Sequence, residues 1–268
     1  MKQDAILVTI TRAYGSTPRE AGAAMMVTSD HADGTIGGGR LEFDAIETAR
    51  QMLATGATRE ERSVPLGPEI GQCCGGRVDL LFERADETTL SRRRVEAASR
   101  DAMRPNVFLF GAGHTGRALA LALAPLPLNV TLVDPRSETL AGLPESIRTV
   151  AAAMPETMVA DAPSDAAFVV MTHDHALDFL IAAEALRRRD TAYVGMIGSA
   201  TKRARFKTYL REIGLEAEIS RLTLPVGGSA LRDKRPEVIA AMTAAELCTC
   251  LLSGQQKTMP VRLADAVL

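Results

Sequence analysis

Val107-Phe108-Leu109-Phe110-Gly111-Ala112-Gly113-His114-Thr115-Gly116-Arg117 is the stretch that decides the fold. A short apolar run gives way to Gly-x-Gly-x-x-Gly, and the last glycine opens a helical pattern over 117–124. Asp134 ends the next apolar run at about the 20-residue interval of a ribose-binding acid. Gly111, Gly113 and Gly116 let the backbone touch a pyrophosphate, with His114 between them, and the helix N-terminus presents unpaired N–H groups and partial positive charge. Asp134 is expected to repel a 2'-phosphate, which favours the ribose of NAD or FAD over NADP, while the neighbouring Arg136 acts against that preference. The competing reading keeps the turn for helix packing alone.

Outward from this unit, the segments 107–110, 130–133, 167–171 and 192–197 are apolar throughout and alternate with helical patterns. Unbroken apolar runs fit parallel strands covered on both faces, so the second half reads as a Rossmann-like, doubly wound parallel sheet. Ligands of such sheets gather at the carboxyl ends of strands. After Met171 come Thr172-His173-Asp174-His175; alternate residues leaving a strand point to opposite sides, so one histidine, His173, is expected at the crevice while Thr172 or Asp174 caps the next helix. After Ile197, Gly198-Ser199 start a helix with Lys202, Arg203 and Arg205, which suits either an anion or a solvated helix face.

The first half differs in character. Residues 5–12, 23–28, 63–66 and 78–82 read as strands and 41–53 as a helix, giving a small mixed α+β domain. From Glu83 to Pro105 the chain is mostly polar. The resulting division is an N-terminal domain over 1–90, a linker over 91–105 and the Rossmann-like domain over 106–268.

Two glycine-rich turns in the first half carry chemistry. Gly37-Gly38-Gly39-Arg40 runs into a helix N-terminus and makes a second anion-ready concavity, or else a tight connection needing positive φ. Gln72-Cys73-Cys74-Gly75-Gly76-Arg77 sets adjacent thiols in a glycine turn beside a fixed positive charge. Neighbouring Cα atoms lie about 3.8 Å apart, too close for a relaxed disulfide, so Cys73 and Cys74 read as free thiols suited to a soft metal or to sulfur chemistry. A plain loop with two small side chains is the alternative. Cys248 and Cys250, on a helical pattern over 238–252, read as packing residues.

Composition bounds the rest. The 268 residues are 46% hydrophobic and 24% charged with a net charge of -2, which fits a globular chain. The charge and the scarcity of aromatic residues, with no Trp, argue against nucleic-acid binding. No apolar run reaches the roughly 20 residues of a membrane span, and the first residues lack the pattern of a secretion signal, so a cytoplasmic location is expected.

Together, the segments 15–22, 34–42, 71–77, 111–116 and 195–206 resemble the xanthine dehydrogenase accessory proteins, the XdhC/CoxI group, and the likeness runs over nearly the whole chain. The resemblance implies a carrier rather than an enzyme. Such a chaperone binds molybdenum cofactor, supports its sulfuration by a cysteine desulfurase, and delivers it to a xanthine-dehydrogenase-type molybdenum hydroxylase. Its molybdopterin would be mononucleotide or dinucleotide. Gly37 to Arg40 would meet the phosphate and Cys73 or Cys74 the molybdenum, in a place sheltered from water between the domains. The Rossmann turn would take the nucleotide half of a dinucleotide cofactor, bind NAD or FAD separately, or serve as scaffold. The rival reading is an NAD- or FAD-dependent oxidoreductase acting on a small substrate. Whether the chain forms a homodimer is left open by the sequence.

Overall fold

The computed structural model describes residues 4–67, 75–228 and 233–253. The chain divides into two compact units, 1–99 and 100–268.

The first unit is a five-stranded antiparallel sheet with one helix on it. Strand β1 (Ile6–Tyr14) lies at its centre between β2 (Ala24–Val27) and β5 (Arg77–Arg84); β3 (Ala32–Gly34) and β4 (Arg59–Pro65) form the edges. Alternation in β1 turns Ile6, Val8 and Ile10 towards the core, where they meet Leu41, Ala45, Ala49 and Met52 of helix α1 (Gly39–Thr55). These α1 residues recur at helical spacing and form one apolar stripe. Gly56 ends the helix in the left-handed conformation, which costs glycine little.

Residues 91–105, expected as a linker, fall largely within helix α2 (Glu87–Ala102). The helix buries only Thr89 and so lacks the apolar stripe that marks a helix in sequence. It is held locally instead. Asp86 accepts the N–H of Thr89 at 2.7 Å, and Glu96 pairs with Arg92 and Arg93 one turn earlier.

The second unit is a six-stranded parallel sheet. Its strands are β6 (Asn106–Phe110), β7 (Asn129–Asp134), β8 (Ile147–Ala151), β9 (Ala167–Val170), β10 (Tyr193–Met196) and β11 (Leu222–Thr223), in the order β11-β10-β9-β6-β7-β8. Counted within the unit this is the Rossmann order, and the connections reverse direction between β6 and β9. Successive residues of β6 feed opposite cores: Val107 and Leu109 pack with α3 (His114–Leu123) and α7 (Pro236–Leu252), Phe108 and Phe110 with α5 (His175–Arg187) and α6 (Ala200–Glu212). A short helix, α4 (Thr157–Ala160), adds Val159 to the second core. No described helix is long and apolar enough to cross a membrane.

Candidate functional site

Each unit gathers its own glycine segments. In the first, a Cβ on Gly76 would stand 2.3 Å from the Ser16 carbonyl oxygen and 2.5 Å from that of Tyr14. One on Gly37 would stand 2.5 Å from Cγ of Pro18. All three distances are below any real contact, so only glycine fits, and the turn after β1 is the common neighbour of the Gly37 and Gly76 segments. Arg77 leaves this place along β5 and lays its guanidinium 4.4 Å over the ring of Tyr14, its partner across the strands. Gln72, Cys73 and Cys74 lie outside the described residues; the chain is described again from Gly75, in a positive-φ conformation.

The Gly37–Gly39 turn holds an anion that belongs to the chain itself. Oε2 of Glu42 accepts the N–H groups of Ile36 and Gly38, each at 3.1 Å, and the Thr35 hydroxyl at 2.5 Å. Partial burial alone would raise the pKa of Glu42, but these donors outweigh it and hold the carboxyl below its ordinary range. Arg40, in the first turn of α1, is exposed and pairs with Asp44 at 2.7 Å. The sequence reading missed Glu42, although an acid within the first turn of a helix that follows a glycine run is a legible signal.

In the second unit a cleft of about 320 Å³ opens at the carboxyl ends of β6 and β9, where the strand order reverses. Of the residues expected there, Gly111, Gly113, His114, Gly116 and His173 line it; so do Thr115, Arg136, Met171, Thr172, Ile197 and Pro236. The three glycines have separable reasons to be glycine. Gly111 has φ +108, and a Cβ there would strike the Met171 carbonyl oxygen at 2.5 Å. On Gly116 it would lie 1.8 Å from the Gly111 oxygen, so that glycine brings α3 onto β6. Gly113 is different: it has φ -71, and a Cβ would meet nothing within 4 Å. Neither backbone conformation nor a Cβ contact requires glycine there. Gly113 also supplies no side-chain cap, so the first N–H groups of α3 stay available to an anion.

The remaining expected residues have structural employment. Asp134, 2% exposed, accepts the N–H of Ala112 at 2.7 Å and thereby braces the glycine turn from behind. It also accepts the Arg136 backbone N–H at 3.0 Å and the Arg136 guanidinium at 3.0 and 3.1 Å. Burial pushes its pKa up; these donors, the Arg136 side chain foremost, push it further down, to about 2. Ser199 caps α6 by accepting the Lys202 N–H at 3.3 Å, and Gly198 leaves room for the Lys202 stem, which a Cβ would meet at 2.6 Å. Neither lines the cleft. Of the basic turn read as suiting either an anion or a solvated helix face, Lys202 is buried and paired with Asp178, Arg203 donates to the carbonyls of Leu222 and Leu224, and Arg205 is exposed. Asp174 caps α5, accepting the N–H groups of Ala176 and Leu177. Among the described residues no cluster of three or more His, Cys, Asp or Glu side chains is arranged to hold a metal ion.

A glycine-loop α+β unit and a Rossmann unit with a cleft at its strand switch point define the class of chain. Residues 107–247 match the model of the XdhC Rossmann domain and residues 1–64 that of the XdhC and CoxI family. The chain belongs to the XdhC and CoxI family. It is similar to the uncharacterized protein YqeB of Escherichia coli (strain K12), at 31% identity over 252 residues that make up 89% of this chain and 42% of YqeB, so it spans less than half of that relative's length. In fold it is similar to the crystal structure of a xanthine dehydrogenase from Bacillus halodurans, with a TM-score of 0.75 at 18% identity, over 97% of this chain and 95% of that one.

Proposed function

We propose that the chain is a carrier in the maturation of a xanthine-dehydrogenase-type molybdenum hydroxylase: it binds molybdenum cofactor, supports its sulfuration by a cysteine desulfurase and hands it on. Membership of the XdhC and CoxI family supports the reading. The observation that carries it is the meeting of the Gly37 and Gly76 segments at the turn after β1, next in sequence to Cys73 and Cys74. Such a place suits a ligand that combines phosphate, polar pterin and a thiophilic metal. The phosphate would meet the first turn of α1 at Gly39 and Arg40, and a thiolate of Cys73 or Cys74 would serve as soft ligand or as a stop for transferred sulfur. Molybdenum, when bound, supplies the terminal sulfur site that the target enzyme needs. The Rossmann cleft would take a nucleotide, with Gly113 open to the pyrophosphate.

The test is to purify the protein from cells that make molybdenum cofactor, assay bound pterin, molybdenum and nucleotide together, and measure activation of a molybdenum hydroxylase lacking its cofactor. Bound pterin and molybdenum that disappear in Cys73→Ala or Cys74→Ala are the expected result. A protein free of pterin that turns over NAD or FAD with a small substrate would replace this reading with the oxidoreductase one.

A further inference from the structure

We infer that the Rossmann cleft selects a 2'-phosphorylated adenine nucleotide, the chemistry of NADP(H), over its unphosphorylated counterpart. The inference rests on the reading that the cleft takes a nucleotide, and it reverses the preference expected from Asp134.

In a Rossmann domain the acid at the end of the second strand recognises a ribose by accepting its hydroxyl protons. Asp134 stands at that position, at the end of β7, but its acceptors are used. A carboxylate has about four lone-pair sites. Here four donors fill them: Ala112 N on Oδ2, Arg136 N and Nε on Oδ1, and the second guanidinium nitrogen of Arg136 on Oδ2. The carboxylate is also 2% exposed, behind the turn rather than within the cleft. A ribose hydroxyl would have to displace either the brace of the glycine turn or the guanidinium.

What the cleft offers at this end is Arg136, whose side chain is 43% exposed and belongs to the lining. Asp134 fixes one edge of the guanidinium through two of its five N–H groups, and the rest remain as donors for a second partner. A planar donor fork held in place by a buried acid fits a phosphate better than a hydroxyl. A second cation is tied to the same corner: Arg117 of α3 donates to the Thr139 carbonyl in the segment that follows β7. Glu138 also faces Arg136 and opposes an incoming anion, but it is exposed and free to turn into solvent. An adenine ribose carrying a 2'-phosphate would therefore meet donors and positive charge where a free 2'-hydroxyl finds the acceptors of Asp134 already used.

The test titrates the full chain with 2',5'-ADP, 5'-ADP, NADPH and NADH by calorimetry and nucleotide fluorescence. Tenfold or stronger preference for each 2'-phosphorylated ligand is expected. Arg136→Ala should bring the ratio close to one and Arg136→Lys should keep part of it, while Gly113→Val, which is compatible with the backbone there, should abolish binding of all. Binding of 2',5'-ADP without NADPH would assign the cleft to a smaller 2'-phosphoadenosine ligand and still support the inference. Equal affinity for the paired ligands, or a ratio unmoved in both Arg136 variants, would overturn it while leaving a nucleotide cleft. Binding of none would overturn the nucleotide reading as well.

Discussion

Lys202 and Asp178 form a buried ion pair that ties two strand ends of the Rossmann unit together. The ammonium also donates to the Ile197 carbonyl at 2.9 Å, and the other oxygen of Asp178 accepts the Thr172 N–H at 2.9 Å and its hydroxyl at 2.7 Å. The turns after β9 and β10, both of which contribute to the cleft lining, are thus fixed to one pair of charges.

Lys202→Met removes one charge and leaves the other stranded. Breaking a buried pair in this way costs about 3–5 kcal/mol. The double variant Lys202→Met with Asp178→Leu should recover a large part of that loss, since neither charge then stays buried alone. Urea unfolding of the two variants checks this; a single-variant cost below about 1 kcal/mol would show that the pair is not sealed from water.

Asp134 makes stability depend on pH at the acid end. Burial would raise its pKa, but hydrogen bonds to Arg136 and Ala112 outweigh burial and hold the carboxyl at about 2 in the folded chain, below the ordinary aspartate value of 3.8. The stabilisation is therefore complete above the unfolded value and is lost as pH falls through about 2; by linkage it amounts to about 2 kcal/mol. Asp134→Asn should lower stability near neutral pH by roughly that amount and flatten the acid limb between about pH 5 and 2. Thermal melts across that range, paired with the unaltered protein, read both effects.

Of the three glycines of the Gly-x-Gly-x-x-Gly turn, Gly111 and Gly116 are required by folding and Gly113 is not. Gly116→Ala and Gly76→Ala each place a methyl against backbone oxygen, at 1.8 and 2.3 Å, and should lower the melting temperature by several degrees. Gly113→Ala meets open space at an ordinary φ and should be neutral or raise stability by up to about 1 kcal/mol. A Gly113→Ala protein as unstable as the other two would show that folding requires glycine there after all.

The Rossmann unit was legible because its central strands are apolar on both faces; Val107 to Phe110 and Ala167 to Val170 have no solvent side to confuse the pattern. Strand β8 was not, because it lies at the sheet edge with Arg148 and Thr149 exposed, and β11 is a two-residue strand. Most of β4 escaped for the same reason, since Arg59-Glu60-Glu61-Arg62 is the charged sequence by which an edge strand discourages further pairing. Helix α2 was hidden because caps and neighbouring charges hold it rather than an apolar stripe. At the cleft, the glycine spacing located Gly111, Gly113 and Gly116, but residue types do not say where lone pairs point. Asp134 has the residue type of a ligand group and here holds the Ala112 N–H and Arg136, while Arg136, two residues on, is exposed in the cleft lining.

Glu42 gives the glycine bend of the first unit a built-in anion. A resident carboxylate already occupies the Ile36 and Gly38 N–H groups of the glycine bend. On the carrier reading, a phosphate brought to this bend would compete with a tethered carboxylate for the same N–H groups.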